Sequence, residues 1–193
     1  MVGIDETRTF VPVAIAILTV SDTRTIDDDR SGGVLVERIA AAGHRLAARA
    51  IVRDEKKAIV AQLKKWIANP KIDVVIATGG TGLTGRDVTP EAFASVYEKE
   101  IAGFGELFRA LSYQKIKTST IESRASAGVA KRTYLFALPG SPGACRDAWD
   151  DILRWQLDSR LRPCNLVEMM PRLLEGEKMK AKRLQRQAAK KRR

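Results

Sequence analysis

Residues 74–91 read Val-Val-Ile-Ala-Thr-Gly-Gly-Thr-Gly-Leu-Thr-Gly-Arg-Asp-Val-Thr-Pro-Glu, and their order decides the fold. An apolar run rich in β-branched residues breaks off at a loop with three glycines in four positions, and Pro90 then opens a helix. Strand, glycine loop and helix in that order bring bare backbone N–H groups up to an anion. Glycine suits such a loop because it tolerates positive φ and has no Cβ to hold a phosphate away. Asp87 follows directly. A carboxylate beside a phosphate repels it unless a divalent cation lies between them. The stretch therefore points to Mg²⁺-assisted chemistry on a nucleotide or phosphorylated substrate.

Outward from this stretch, strands and helices alternate. Val13–Val20 is nearly all aliphatic, as a strand buried on both faces requires, and it ends in Ser21-Asp22. Asp29-Arg30-Ser31-Gly32-Gly33 leads into a helix over Val34–Ala42, stopped by Gly43. Leu46–Val52 reads as a second strand and Glu55–Ala68 as an amphipathic helix, followed by a strand over Ile72–Ala77. Helical patterns cover Pro90–Glu98 and Phe104–Tyr113. Arg132–Leu138 is a further strand, and a long helix is predicted over Ala144–Leu161 after Pro139-Gly140-Ser141-Pro142-Gly143. This alternation predicts an α/β three-layer sandwich with a mostly parallel central sheet. The expected domains are an N-terminal extension over 1–10, an α/β domain over 11–174 and a basic, disordered tail over 175–193.

Charge supports that division. Residues 175–193 hold nine Lys/Arg against two Glu, so +7 of the net +11 lies in the tail and the body is only mildly basic. No aromatic residue interleaves the tail's charges, so a nucleic-acid role is an alternative without stacking support. Cys145, Cys164 and the single His44 form no close cluster, which argues against zinc, and two cysteines without an export signal read as reduced thiols. Val11–Val20 is too short to span a bilayer, so a soluble, cytoplasmic protein is expected. Trp66, Trp149 and Trp155 read as core or subunit-interface residues, and His44, after a helix-ending glycine, as a surface residue.

In a parallel sheet ligands gather at the carboxyl ends of the strands. Ser21-Asp22, Asp54, the Thr78–Asp87 loop and the Pro139–Gly143 loop all leave such ends if the second strand is parallel to the others. The stretch matches neither a P-loop, because no Gly-Lys-Ser/Thr ends it, nor the Gly-x-Gly-x-x-Gly spacing.

Five runs carry a further likeness: Leu18-Thr19-Val20-Ser21-Asp22, Asp29-Arg30-Ser31-Gly32, Thr78-Gly79-Gly80-Thr81-Gly82, Arg86-Asp87-Val88-Thr89-Pro90-Glu91 and Leu138-Pro139-Gly140-Ser141. Together they resemble the MoaB/Mog family of molybdenum-cofactor biosynthesis over residues 11–170. Gly103–Arg109, Thr118–Arg124 and Leu161–Asn165 are similar to its MoaB branch. The resemblance implies the family's α/β fold, a homotrimer or homohexamer, and the Mg²⁺- and ATP-dependent adenylylation of molybdopterin with release of pyrophosphate. By resemblance, Asp54 and Asp87 are the functional carboxylates and the candidate Mg²⁺ ligands. Gly79, Gly80, Thr81 and Gly82, together with Pro139, Gly140 and Ser141, match the family's pterin- and nucleotide-binding loops. Ser21, Asp22, Thr89, Glu91, Ser112 and Ser123 stand in segments that line the same pocket. Partners implied are molybdopterin, Mg-ATP and other proteins of the pathway. A non-catalytic pterin-binding or assembly protein of the same pathway is the alternative.

Overall fold

The computed structural model describes residues 3–175; the basic tail from residue 176 lies outside the described residues. Four parallel strands build the centre: β2 (Ala14–Val20), β3 (Arg45–Val52), β4 (Val74–Thr78) and β7 (Thr133–Leu138). With antiparallel β6 (Ser126–Ala130) and the short β5 (Lys99–Glu100) they form one sheet in the order β3-β2-β4-β7-β6-β5. β1 (Gly3–Ile4) pairs antiparallel with β8 (Leu161–Arg162) in a separate two-stranded ribbon, so part of the expected N-terminal extension is tied to the body.

All residues of β2, β4 and β7 are buried because helices cover both faces of the sheet. On one face Ile15, Ile17, Val74, Ile76 and Phe136 pack against α1 (Arg30–Ala41), α4 (Ala102–Ile116) and α5 (Pro142–Ala148). On the other, Ala16, Leu18, Val75 and Leu135 pack against Ile59, Leu63 and Trp66 of α2 (Lys56–Ile67) and Phe93 of α3 (Thr89–Ala94). The expected three layers are present. Local caps set the helix starts: the Asp29 carboxylate accepts from the Gly32 N–H, and the Ser141 hydroxyl accepts from Ala144 ahead of Pro142.

Three expectations need correction, and one strand is added. The helix predicted over Pro90–Glu98 ends at Ala94, where the Ser95 hydroxyl donates back to the Ala92 carbonyl. The long helix predicted over Ala144–Leu161 is broken: α5 passes into a π-turn over Trp149–Leu153 and helix ends at Gln156. The antiparallel β6 was unforeseen, because Ser-Ala-Gly-Val-Ala carries little β-propensity and is held by its neighbours. His44 is buried, 7 % exposed, between the rings of Phe10 and Trp149, and its Nδ1 accepts from the Val13 N–H. Trp66 and Trp149 are core residues, and Trp155 lies at the surface under the Arg154 guanidinium, which leaves a subunit interface as its expected place.

Candidate active site

β2, β3, β4 and β7 run parallel and end at Val20, Val52, Thr78 and Leu138, so the segments carrying Ser21, Asp54, Gly79 and Pro139 leave one edge of the sheet. Hydrogen bonds knit this rim together. Ser21 N–H donates to Val52 O at 2.9 Å, Gly79 N–H to Leu138 O at 3.1 Å, and the Ser31 hydroxyl to Gly140 O at 2.8 Å. Gly79 and Gly80 adopt φ of +103° and +63°, and a Cβ on Gly79 would stand 2.3 Å from the Val20 carbonyl oxygen. Only glycine fits that turn unstrained.

The two candidate acids both reach the glycine loop, one at Gly80 and one at Gly82. A Cβ on Gly80 would lie 2.8 Å from Asp54 Oδ1 and 2.5 Å from Thr89 Oγ1. Both of these oxygens are buried and without a hydrogen-bond partner. Burial raises the Asp54 carboxyl above the usual range. The negative charges of Asp87 and Asp22 push the same way, while a backbone N–H at Val88 opposes them. Asp87 is the opposite case. Its Oδ2 lies 2.8 Å from where a Gly82 Cβ would stand, and it accepts from the Thr84 hydroxyl at 2.6 Å and the Thr84 N–H at 2.9 Å. Those donors hold its carboxyl below the usual range.

A cavity of about 500 Å³ opens over Gly80, Thr81, Gly82 and Asp87. One wall is Phe108, Ser112 and Ile116 of α4 with Ser119, Glu122 and Ser123 beyond it; the other is Pro139, Gly140, Ser141 and the start of α5 with Asp147. A second cavity of about 250 Å³ shares Gly140 and is lined by Ser21, Gly79, Asp29, Ser31 and two cations, Arg24 and Arg30. Most sequence-predicted residues thus line one of two adjoining cavities. The others stand outside the lining. Asp22 pairs with Arg86, Glu91 pairs with Arg124, and Thr89 and Asp54 lie against Gly80. None of Arg24, Arg30, Glu122 and Asp147 was named as a site residue, although Arg30 and Glu122 stand in the runs that carry the family likeness. Arg124, which closes the MoaB-like run Thr118–Arg124 beside Ser123, was not named either.

Among the described residues no three or more His, Cys, Asp or Glu side chains form a ready-made metal cage. The donors present are hard carboxylate oxygens, and Asp54 Oδ1 lacks any partner. Such a pair suits Mg²⁺ held partly by substrate phosphates better than a fully protein-ligated ion. Cys145 is not a competing nucleophile. Burial pushes its thiol up to about 11, and its sulfur sits 3.1 Å from the Thr78 hydroxyl.

The model of a family described as "Probable molybdopterin binding domain" matches residues 16–159, which span the sheet and both cavities. The chain belongs to this family. It is 52 % identical over 156 residues to molybdenum cofactor biosynthesis protein B of Escherichia coli (strain K12), covering 81 % of this chain and 92 % of the relative. A crystal structure of a molybdenum cofactor biosynthesis protein B superposes with a TM-score of 0.79 at 38 % identity, covering 87 % of this chain and 99 % of that one. The tungsten cofactor synthesizing protein MoaB from Pyrococcus furiosus gives a TM-score of 0.66 at 34 % identity, covering 74 % and 91 %. The role of the family member described here lies in molybdenum cofactor biosynthesis. No helix among the described residues is long and apolar enough to cross a membrane.

Proposed function

We propose that this chain is a molybdopterin adenylyltransferase. The observation that carries the reading is the approach of two carboxylates of contrasting chemistry, Asp54 and Asp87, to one glycine loop that floors a cavity of about 500 Å³. In the reaction a terminal phosphate oxygen of molybdopterin bonds to the α-phosphorus of ATP, the α–β bridging bond breaks, and pyrophosphate leaves. Two polyanions must meet, so catalysis is chiefly positioning and charge neutralisation. The nucleophile is already an anion and needs no strong base. Backbone N–H groups at Gly80–Gly82 and the hydroxyls of Ser112, Ser119 and Ser123 supply donors around the larger cavity. Arg24 and Arg30 give the smaller cavity a positive lining suited to nucleotide phosphates. Asp54 and Asp87 would hold Mg²⁺, which when bound neutralises charge on the reacting phosphates. Asp54, desolvated and lacking a partner at Oδ1, is the acid that gains most from a cation.

The family membership and the relatives' names support molybdopterin as the pterin. A cytoplasmic homo-oligomer is part of the same reading. The exposed apolar side chains Leu107, Tyr113, Ile116 and Ile121 on and after α4 support a subunit contact there. One observation favours a non-catalytic pterin-binding role instead: Asp87 Oδ2 is already committed to Thr84. Pyrophosphate release from Mg-ATP with and without molybdopterin, beside calorimetric titration of each ligand, separates the two. Pterin binding without pyrophosphate release would leave the binding role and remove the transferase.

A further inference from the structure

Arg124 stands on the cavity wall's continuation, between Ser123 and β6, yet its guanidinium turns toward the glycine loop. Nε donates to Gly82 O at 2.8 Å, Nη2 donates to Asp87 O at 2.6 Å, and Nη1 pairs with Glu91 in the first turn of α3. One planar cation thus grips the beginning, the middle and the end of the Gly82–Glu91 segment. Near Asp87 the loop also bonds within itself, where Thr84 holds the Asp87 carboxylate and Asp87 N–H donates to Thr84 O, and its Val88 N–H reaches the Asp54 carboxyl. The loop's other ion pair to the body, Arg86 to Asp22, is far more exposed, with the Arg86 side chain 73 % accessible against 30 % for Arg124. A fork of fixed donors fits this task as a lysine's single ammonium does not.

We propose that Arg124 is a positioning residue that fixes Asp87 relative to the cavity and couples it to the wall carrying Ser119, Glu122 and Ser123. This rests on the transferase reading above for its kinetic consequence but not for its structural one. A ligand seated against Ser123 orders the chain next to Arg124, and the guanidinium carries that order into the loop that holds the acid.

The test uses the full chain as wild type, Arg124→Ala, Arg124→Lys, Glu91→Gln and Asp87→Asn. Without substrates, hydrogen exchange at residues 82–88 rises in Arg124→Ala and partly in Glu91→Gln, with thermal unfolding of the body little changed. With substrates, Arg124→Ala lowers kcat about 100-fold while KM for ATP stays within about threefold, as expected when a group is misplaced rather than removed. Arg124→Lys recovers little. Added guanidinium raises kcat of Arg124→Ala in a saturable way, which a merely structural role does not produce. Loop exchange equal to wild type in both Arg124→Ala and Glu91→Gln overturns the proposal, whatever the reaction. Should Arg124→Ala not fold, Arg124→Lys and Glu91→Gln carry both readouts. Full transfer by Asp87→Asn sinks the catalytic reading instead and leaves the exchange result standing.

Discussion

The two ends of the parallel sheet are built on opposite terms. At the carboxyl end the chain leaves polar atoms buried and unpaired. Asp54 Oδ1 and Thr89 Oγ1 lack partners, and so does Arg49 Nε, whose guanidinium reaches Asp29 at the start of α1. At the amino end buried polar groups are paired. His44 Nδ1 accepts from Val13, Asp73 Oδ2 accepts from the Ala14 N–H, and the Tyr134 hydroxyl donates to the Leu166 carbonyl. Asn165, 2 % exposed, donates to Ser159 O and Leu161 O and accepts from Glu168 N–H. An unpaired buried polar group costs about 1–3 kcal/mol, so the carboxyl rim carries a cost that the amino end does not. Under the proposed function, the amino end serves stability and the carboxyl end serves binding.

Substitutions at the two ends should therefore separate activity from stability. The largest effect is expected for Asp54→Asn. It lowers adenylyl transfer about 100-fold or more, the scale of a lost positioning or charge-neutralising group. The unfolding midpoint stays unchanged or rises, because a desolvated carboxylate is gone. A fall in stability with transfer intact would erase the contrast. Gly80→Ala tests the same rim through the backbone. It is strained at φ +63° and drives a methyl group onto Asp54 and Thr89, so a loss of about 1–2 kcal/mol and weakened transfer are expected together. Asn165→Ala is the converse at the amino end. Denaturant unfolding should show a loss of about 1–3 kcal/mol while kcat and KM hold, and altered kinetics would break the division.

Smaller effects sharpen the picture. Burial holds the folded-state pKa of His44 below its ordinary value, with Asp158 opposing. Below that ordinary value the unfolded chain binds the extra proton. The stabilisation is thus complete above about pH 6.5 and is lost as pH falls further. Thermal midpoints should drop between about pH 7 and pH 5, and less steeply in His44→Gln; equal slopes would remove His44 from the amino-end network. The smallest effect concerns the thiols. Exposed Cys164 should react readily with a thiol reagent while buried Cys145, pushed up to about 11, stays silent until unfolding. Rapid reaction of both would mean that the rim beside Thr78 opens in the native state.

Much of this was legible in the residues. Ala14–Val20 and Val74–Thr78 are aliphatic throughout, and a strand covered on both faces is what such runs form, so the parallel centre and its loop-bearing rim followed. The acids were legible from their loops, Asp54 two residues past the end of β3 and Asp87 beyond the glycines that follow β4, with their roles implied by the family resemblance. β6 was not, because Ser126–Ala130 has no pattern of its own and pairs only because β7 offers an open edge. His44 read as exposed because the residues that bury it, Phe10 and Trp149, come from distant parts of the chain.

The sequence by itself determined the layered sheet, the family and the loops that meet at its rim. Those depend on short-range patterning, namely aliphatic runs, glycine where φ turns positive, and acids in the loops that follow the strands. Tertiary structure alone decided which acid is satisfied and which is not. It also decided that Thr89 lies buried against Gly80 and that Arg124 grips the loop. Burial and hydrogen-bond partnership are properties of groups brought together from far apart in the chain, and no local run of residues encodes them.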